Sequence, residues 1–292
     1  MSFASSTRAA GNRLMGSVGH GTGRLRTPAF YFITAAFLAF LLFALRDSML
    51  MVGRAWTAGY AFPGHRVHHV MIGATLTVFA ATIAVQLYRP TRRVGALQAA
   101  LAFVIAAFLI TVAVSGLAAA GEIVAFVVPV FAIALLHPAR RDLIPSLERR
   151  GFDARLFALA AVGALGFAVV AAGEFTNHTT LTNEHVVFGH YEFLSFAAAS
   201  IGLFALLGAL RPAGWRALVY GSAALAALFA VGSLAFPGAE QGSSLGTAGS
   251  LAVIAWAVAF VALAEYGART ASADPNVELD SSTAPETEPP QA

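Results

Sequence analysis

The chain of 292 residues contains no cysteine, and all eighteen of its basic residues are arginine, so lysine is absent as well. Without cysteine the protein has no disulfide bond, no thiolate nucleophile and no thiolate-ligated iron–sulfur cluster. Without lysine it cannot form a Schiff base with a carbonyl compound, which excludes a retinal-binding mechanism. Any metal ion that it binds must therefore be held by nitrogen and oxygen atoms.

Charge of either sign is also scarce in this sequence. Only 11% of the residues are charged and 58% are hydrophobic, whereas soluble domains carry about 25% charged residues. This composition and a mean hydropathy of +0.73 predict that the main partner of the chain is the lipid bilayer. The sequence pI of about 9.7 does not indicate a nucleic-acid partner, because the arginines occur in short clusters between apolar runs.

The apolar runs predict an all-α integral membrane protein with eight transmembrane helices, because about 20 apolar residues in a helix cross a bilayer. The predicted spans are 28–46, 67–88, 94–114, 118–137, 155–173, 186–210, 214–235 and 247–267. The fourth span is the least regular, since Glu122 and Pro129 interrupt it. Proline kinks a helix, although neighbouring helices can satisfy the carbonyl that it frees.

The distribution of arginine predicts the orientation of these spans. Clusters of arginine lie in residues 1–27, 89–93 (RPTRR), 137–155 (HPARRDLIPSLERRGFDAR) and 211–216 (RPAGWR). The loops near 115–121, 174–185 and 236–246 contain none. Because arginine-rich loops stay in the cytoplasm, we expect a protein of the cytoplasmic (plasma) membrane with both termini inside the cell.

A shift of 122 residues relates the two halves of the chain. His68 precedes Arg89-Pro90 by the same distance as His190 precedes Arg211-Pro212. Four spans in each half insert in the same direction, which predicts two parallel four-helix repeats related by an axis normal to the membrane. The alternative is an unduplicated protein, since any eight-helix membrane protein has alternating basic turns.

The same pattern divides the chain into five segments. We expect a flexible basic tail (1–27), a first four-helix half (28–137), a basic cytoplasmic linker (138–154), a second four-helix half (155–269) and a disordered acidic tail (270–292). The last prediction follows from composition, because residues 271–292 contain five acids and no base, which is typical of disorder.

Six of the eight histidines fall near the predicted extracytoplasmic surface of the membrane. They form two groups, one where the second span begins and one where the sixth begins: His65, His68 and His69, and His178, His185 and His190. Spacings of three or four residues put side chains on one helix face, and imidazole and carboxylate groups there can hold zinc, copper or iron. The predicted metal ligands are His65, His68, His69, His185, His190 and Glu192.

The same surface allows other interpretations. His68 and His190, on different helices, could ligate the iron of a haem b from both faces. Glu122 and Glu174 are predicted to relay protons, because ionisable groups inside a membrane are functional candidates. Histidine also suits the membrane interface, where it can anchor a helix without any ligand, and clusters of histidine can sense pH.

The leading functional hypothesis is a metal- or haem-binding redox component of the membrane, with a redox partner or complex subunits that the sequence does not identify. The alternative is a small-solute transporter or channel with a pH-sensitive outer vestibule. A third hypothesis is a scaffold subunit without chemistry of its own. The sequence identifies no catalytic residue. It contains no nucleotide-binding loop and no serine elbow, so nucleotide-driven transport and serine hydrolysis have no support.

Overall fold

The computed structural model describes residues 6–144 and 152–272, and every regular element in these ranges is a helix. The α-helices are α1 (Ser6–Ala44), α2 (Arg46–Arg54), α3 (Arg66–Ala84), α4 (Val94–Leu136), α5 (Ala154–Thr180), α6 (Glu184–Val187), α7 (His190–Ala209), α8 (Arg216–Ala235) and α9 (Gly246–Ser272). Short 3-10 turns at Pro63–His65, Pro90–Arg92 and Ala239–Gln241 lie in the connections between them.

Seven helical segments of the described chain are long and apolar enough to cross a bilayer. They are Leu25–Ala44, Pro63–Leu87, Val94–Ala119, Ala154–Thr180, His190–Ala209, Arg216–Ala235 and Gly246–Thr270. Helices suit this environment because each backbone amide finds its partner within the same segment, where lipid offers none. The prediction of a helical membrane protein is therefore confirmed.

The fourth predicted span corresponds to the second part of α4, and Gly121–Leu136 is a shorter apolar helix. Gly116 interrupts α4 with non-helical backbone angles (φ 79°, ψ 172°). Beyond this break the chain turns back. This is shown by the Gln98 side chain near the start of α4, which donates a hydrogen bond of 2.9 Å to the carbonyl of Leu143. A straight helix of this length would instead separate its ends by roughly 64 Å.

The helices that carry the histidines are held by close backbone contacts. A Cβ atom on Gly73 of α3 would clash with the backbone nitrogen of Val52, so α2 packs directly on α3. A Cβ atom on Gly202 of α7 would lie 3.1 Å from the Cα atom of Ala164 in α5. Small residues at such crossings let membrane helices approach closely, and here they hold α3 against α2 and α7 against α5.

The two Arg-Pro turns have the same backbone conformation. Arg89 and Arg211 both have a φ of 50°, and they are the only non-glycine residues with positive φ in the described chain. The turns also meet, since the Gly95 amide donates a hydrogen bond of 2.8 Å to the carbonyl of Ala213. We call this side of the bundle the arginine end. The likeness of the two turns agrees with the 122-residue shift, but the duplication itself stays a prediction.

Apolar side chains remain exposed on the helices at the periphery of the bundle. Examples are Phe32 and Phe43 on α1, Val162 and Val169 on α5, and Val258 on α9. A bilayer would cover these side chains. Helix α1 begins at Ser6, within the predicted basic tail. Residues 145–151 of the predicted linker and residues 273–292 of the predicted acidic tail lie outside the described ranges.

Candidate metal centre

The start of α3 is fixed by the loop between α8 and α9. Gln241, which is buried, donates a hydrogen bond of 2.7 Å from Nε2 to the carbonyl of Pro63 and accepts one of 3.2 Å at Oε1 from the Val67 amide. It thereby satisfies a backbone amide that the first turn of a helix leaves without an intrahelical partner. The histidines at positions 65, 68 and 69 are held at the same place on the bundle, which we call the histidine end.

A sharp turn between α6 and α7 brings His185 and His190 together. In one continuous helix, residues five apart point about 140° away from each other. Here Gly189 has a φ of 67°, in the left-handed region that favours glycine, so α7 starts in a new direction. The Asn183 side chain holds the other side of the turn by accepting a bond from the Val186 amide and donating one to the Tyr191 hydroxyl.

Three buried histidines converge at this end. The Nδ1 atom of His190 lies 3.2 Å from Nδ1 of His65 and 3.2 Å from Nδ1 of His185. The three potential ligand nitrogens all lie within 4.8 Å of one another. A tetrahedral zinc ion with Zn–N bonds of 2.0–2.1 Å separates its ligand atoms by about 3.3–3.4 Å. The spacing therefore suits a metal ion that three imidazoles bind.

Neighbouring acceptors orient two of these imidazoles. Nε2 of His185 lies 3.0 Å from the carbonyl oxygen of Glu240, and Nε2 of His65 lies 3.5 Å from a carboxylate oxygen of Glu184. Each acceptor favours a proton on Nε2, which leaves the lone pair of Nδ1 directed at the centre. Metal-ligating histidines are commonly oriented in this way by a carbonyl or carboxylate on the other nitrogen.

Electrostatics also favour the neutral form of His185. Burial lowers the pKa of His185, and the neighbouring His65 lowers it further, while the Glu240 carbonyl and the Glu184 carboxylate oppose the shift. A histidine must be neutral to donate a lone pair to a metal. The protein environment therefore holds this side chain in the form that binds metal.

His68 and His69 lie beside the three convergent histidines and not among them. Nε2 of His68 is 3.0 Å from the Ser243 hydroxyl, which donates a hydrogen bond of 2.7 Å to the Glu174 carboxylate. Nδ1 of His69 is 2.5 Å from the Tyr60 hydroxyl. Glu174, predicted from the sequence to relay protons, is thus linked to His68 through one serine.

The geometry does not support a haem between His68 and His190. Their rings are stacked, with centroids 5.0 Å apart and an angle of 19° between the planes. Axial haem ligands instead direct their ring nitrogens at the iron from opposite faces of a porphyrin. Two rings in direct facial contact leave no space for a macrocycle between them.

The acidic residues Glu192 and Glu122 lie apart from the three histidines. On α7, residues 190 and 192 point about 160° apart, so Glu192 faces α4 and α5. There it accepts hydrogen bonds from Thr111 and Ser115 and lies 4.0 Å from Nε2 of His178. Glu122 is exposed and follows the break in α4.

The residues that support the centre were not identified from the sequence. Gln241, Ser243 and the Glu240 carbonyl all come from the loop PGAEQGSS, and Tyr60 comes from the loop before α3. Single polar residues in loops have no periodicity that would reveal their partners. The one available signal was the concentration of polar residues in that loop, on the same predicted side of the membrane as the histidines.

An open cavity reaches the centre from the histidine end. Its volume is about 720 Å³, and His65 and His185 form part of its wall together with Asn183, Glu184 and Glu240. Water can therefore approach two of the three convergent histidines. Comparison of the chain with protein-family models, with curated proteins and with solved structures gives no match.

Proposed function

We propose that this multi-pass membrane protein binds one transition-metal ion through Nδ1 of His65, His185 and His190. The observation that carries the proposal is the approach of His190 Nδ1 to within 3.2 Å of both other Nδ1 atoms. A proton on one of these nitrogen atoms can form a hydrogen bond with only part of the group, and the lone pairs that remain unshared repel one another. A metal ion would satisfy all three at once.

The ligand set supports a reactive centre more than a purely structural one. Structural zinc sites use four protein ligands, whereas catalytic sites use three and leave one position for water or substrate. The open cavity beside His65 and His185 supports such a position. Imidazole suits zinc, copper and iron, and the redox role that we expect from the sequence requires copper or iron.

The membrane topology that we propose has eight crossings, with both termini on the arginine end and that end in the cytoplasm. The return of the chain after Gly116 supports a crossing by Gly121–Leu136, although this helix is short. The contact of the Arg26 side chain with the carbonyls of Leu136 and His137 supports the same direction, because it joins the end of α4 to α1. The clustered arginines support the cytoplasmic assignment.

Metal analysis of the purified protein tests the proposal. Wild-type protein in detergent, after exposure to zinc, copper or iron and removal of free metal, should retain one ion per chain. His65→Ala, His185→Ala and His190→Ala should each reduce this to less than one tenth. His178→Ala is the matched control, since His178 lies at the same end beside Glu192 and should leave the metal content unchanged.

Size-exclusion profiles of the variants separate loss of metal from loss of fold. A folded wild-type protein without any of the three metals would overturn the proposal. Retention of full metal by His190→Ala would overturn the assignment of ligands. Metal-free protein that nevertheless moves a solute across vesicle membranes would favour the transporter hypothesis.

A further inference from the structure

A second cavity reaches two of the three convergent histidines, His65 and His190. Its volume is about 290 Å³, and its wall contains His65, His69 and His190. The rest of the wall is mainly apolar and includes Met51, Phe62, Ile72 and Phe188. The centre is therefore adjacent to an apolar space in addition to the open polar cavity.

A third cavity continues this space into the bundle. It has a volume of about 260 Å³, and Ser48 is the one polar residue in its wall. Ser48 and Ile72 border both apolar cavities, so the two are neighbours. The deeper one extends to Leu76, Phe103 and Ala107. Along α3, the distance from His69 to Leu76 is roughly 10 Å at 1.5 Å per residue.

The surroundings of these cavities place them at membrane depth. Ile72, Phe103 and Phe196 all belong to segments long and apolar enough to cross a bilayer. Helix α2 covers the same region, because Ser48 and Met51 line the apolar cavity beside the histidines and α2 packs directly on Gly73. A molecule that occupies both cavities would have an apolar body inside the bundle and a polar end at the histidines.

His65 borders both the open polar cavity and the apolar cavity beside it. Water needs only the first of these routes to reach the centre. A ligand that is wholly soluble in water would not occupy the apolar cavity. The two routes together suit a ligand with one polar head and one apolar chain, for which a membrane is the natural source.

We propose, resting on the metal site above, that the ligand of this centre is a single-chain amphiphile with a carboxylate head. The carboxylate occupies the open position of the metal ion, and the chain runs past Ile72 towards Phe103. An oxygen anion suits that position because three neutral imidazoles leave the charge of a divalent ion uncompensated. The apolar walls supply affinity for the chain.

A photoreactive fatty acid tests this inference directly. The probe is a twelve-carbon carboxylate with a diazirine near its methyl end, added to zinc-loaded protein in phosphatidylcholine nanodiscs. Cross-links should fall on peptides that contain residues 72–76 or 103–107. Excess dodecanoate should abolish them and butyrate should not, because each buried methylene contributes about fourfold in affinity.

Two variants of α4 make the test more specific. Ala107→Phe fills the deeper cavity and should reduce cross-linking in the cavity at least fivefold, while leaving the metal content unchanged. Leu109→Phe is the matched control, because Leu109 is exposed on the surface of α4 and should label like wild type. If Ala107→Phe fails to fold, the competition between dodecanoate and butyrate on the wild-type protein decides the question alone.

The metal content of the same samples distinguishes the two proposals. Full metal content with cross-links confined to the exposed surface of the bundle, such as the Leu109 side of α4, would overturn this inference alone. Removal of the metal by chelation should reduce cavity labelling at least tenfold. Cavity labelling in a chain that binds no metal would overturn both the metal-bound head and the proposed function.

Discussion

His65 and His190 are 125 residues apart in the chain, yet their Nδ1 atoms lie 3.2 Å apart. The contact joins the 3-10 turn that precedes α3 to the first residue of α7, and His185 approaches the same atom of His190 from α6. Three separate elements therefore direct one nitrogen each at a common point. The predictions below test what holds these elements in place and what the arrangement binds.

The left-handed turn at Gly189 is required for the approach of His185 to His190. Gly189→Ala should destabilise the protein by about 1–2 kcal/mol, the cost of a left-handed backbone for a residue with a Cβ atom. A Cβ atom there meets nothing within 4 Å, so the cost is conformational. Metal affinity should fall as well, because His190 would move relative to His185.

Gly173→Ala provides the control for this change. A Cβ atom at Gly173 would also meet nothing within 4 Å, but this residue lies inside α5 with ordinary helical backbone angles. Alanine there should stabilise the helix by about 0.5–1 kcal/mol. Unfolding of both variants in detergent measures the difference. Equal stability of the two would contradict the role assigned to Gly189.

The hydroxyl of Ser243 connects His68 to Glu174 in a buried position. Ser243→Ala leaves both groups without this partner and should lower the free energy of unfolding by about 1–3 kcal/mol. The metal content should stay at one ion per chain, because His68 is not among the three convergent histidines.

Thr270→Ala is the control, since the Thr270 hydroxyl is exposed and bonds its own helix. Loss of metal from Ser243→Ala without loss of stability would show instead that His68 is a ligand.

The eight-span topology can be tested by chemical labelling, because the chain has no cysteine of its own. Single cysteines are introduced by Thr57→Cys, in the exposed loop before α3 at the histidine end, and Arg140→Cys after α4. In intact cells a membrane-impermeant maleimide should label the first and not the second. If Gly121–Leu136 does not cross the membrane, both cysteines should react alike. Labelling of both in permeabilised cells controls for accessibility.

The sequence predicts the helical class and the gathering of histidines because both depend on local patterns. Apolar runs of sufficient length must be helical in lipid, and the alternation of arginine-rich loops indicates that positions 65, 68, 185 and 190 share one side. The number of spans is harder to predict, since Glu122 and Pro129 shorten the fourth run. The structure accordingly shows seven long apolar segments and one shorter apolar helix, Gly121–Leu136, in the described chain.

The detailed membership of the centre could not be predicted, because it depends on tertiary geometry. Proximity in sequence favours a place for Glu192 beside His190, but their positions on α7 point in different directions, and Glu192 bonds Thr111 of α4. The convergence of His185 and His190 depends on the turn at Gly189. The orientation of His185 depends on the Glu240 carbonyl, and a backbone group leaves no signal in the identity of the side chain.

X-ray absorption spectroscopy of the zinc-loaded protein tests the central claim most directly. The edge spectrum and its fine structure report the number and type of ligands around the metal. The account predicts three imidazole nitrogens at about 2.0–2.1 Å, with a fourth ligand from oxygen, and the loss of one imidazole or of the metal in His190→Ala. A zinc ion bound by fewer than two imidazoles in the wild-type protein would contradict it.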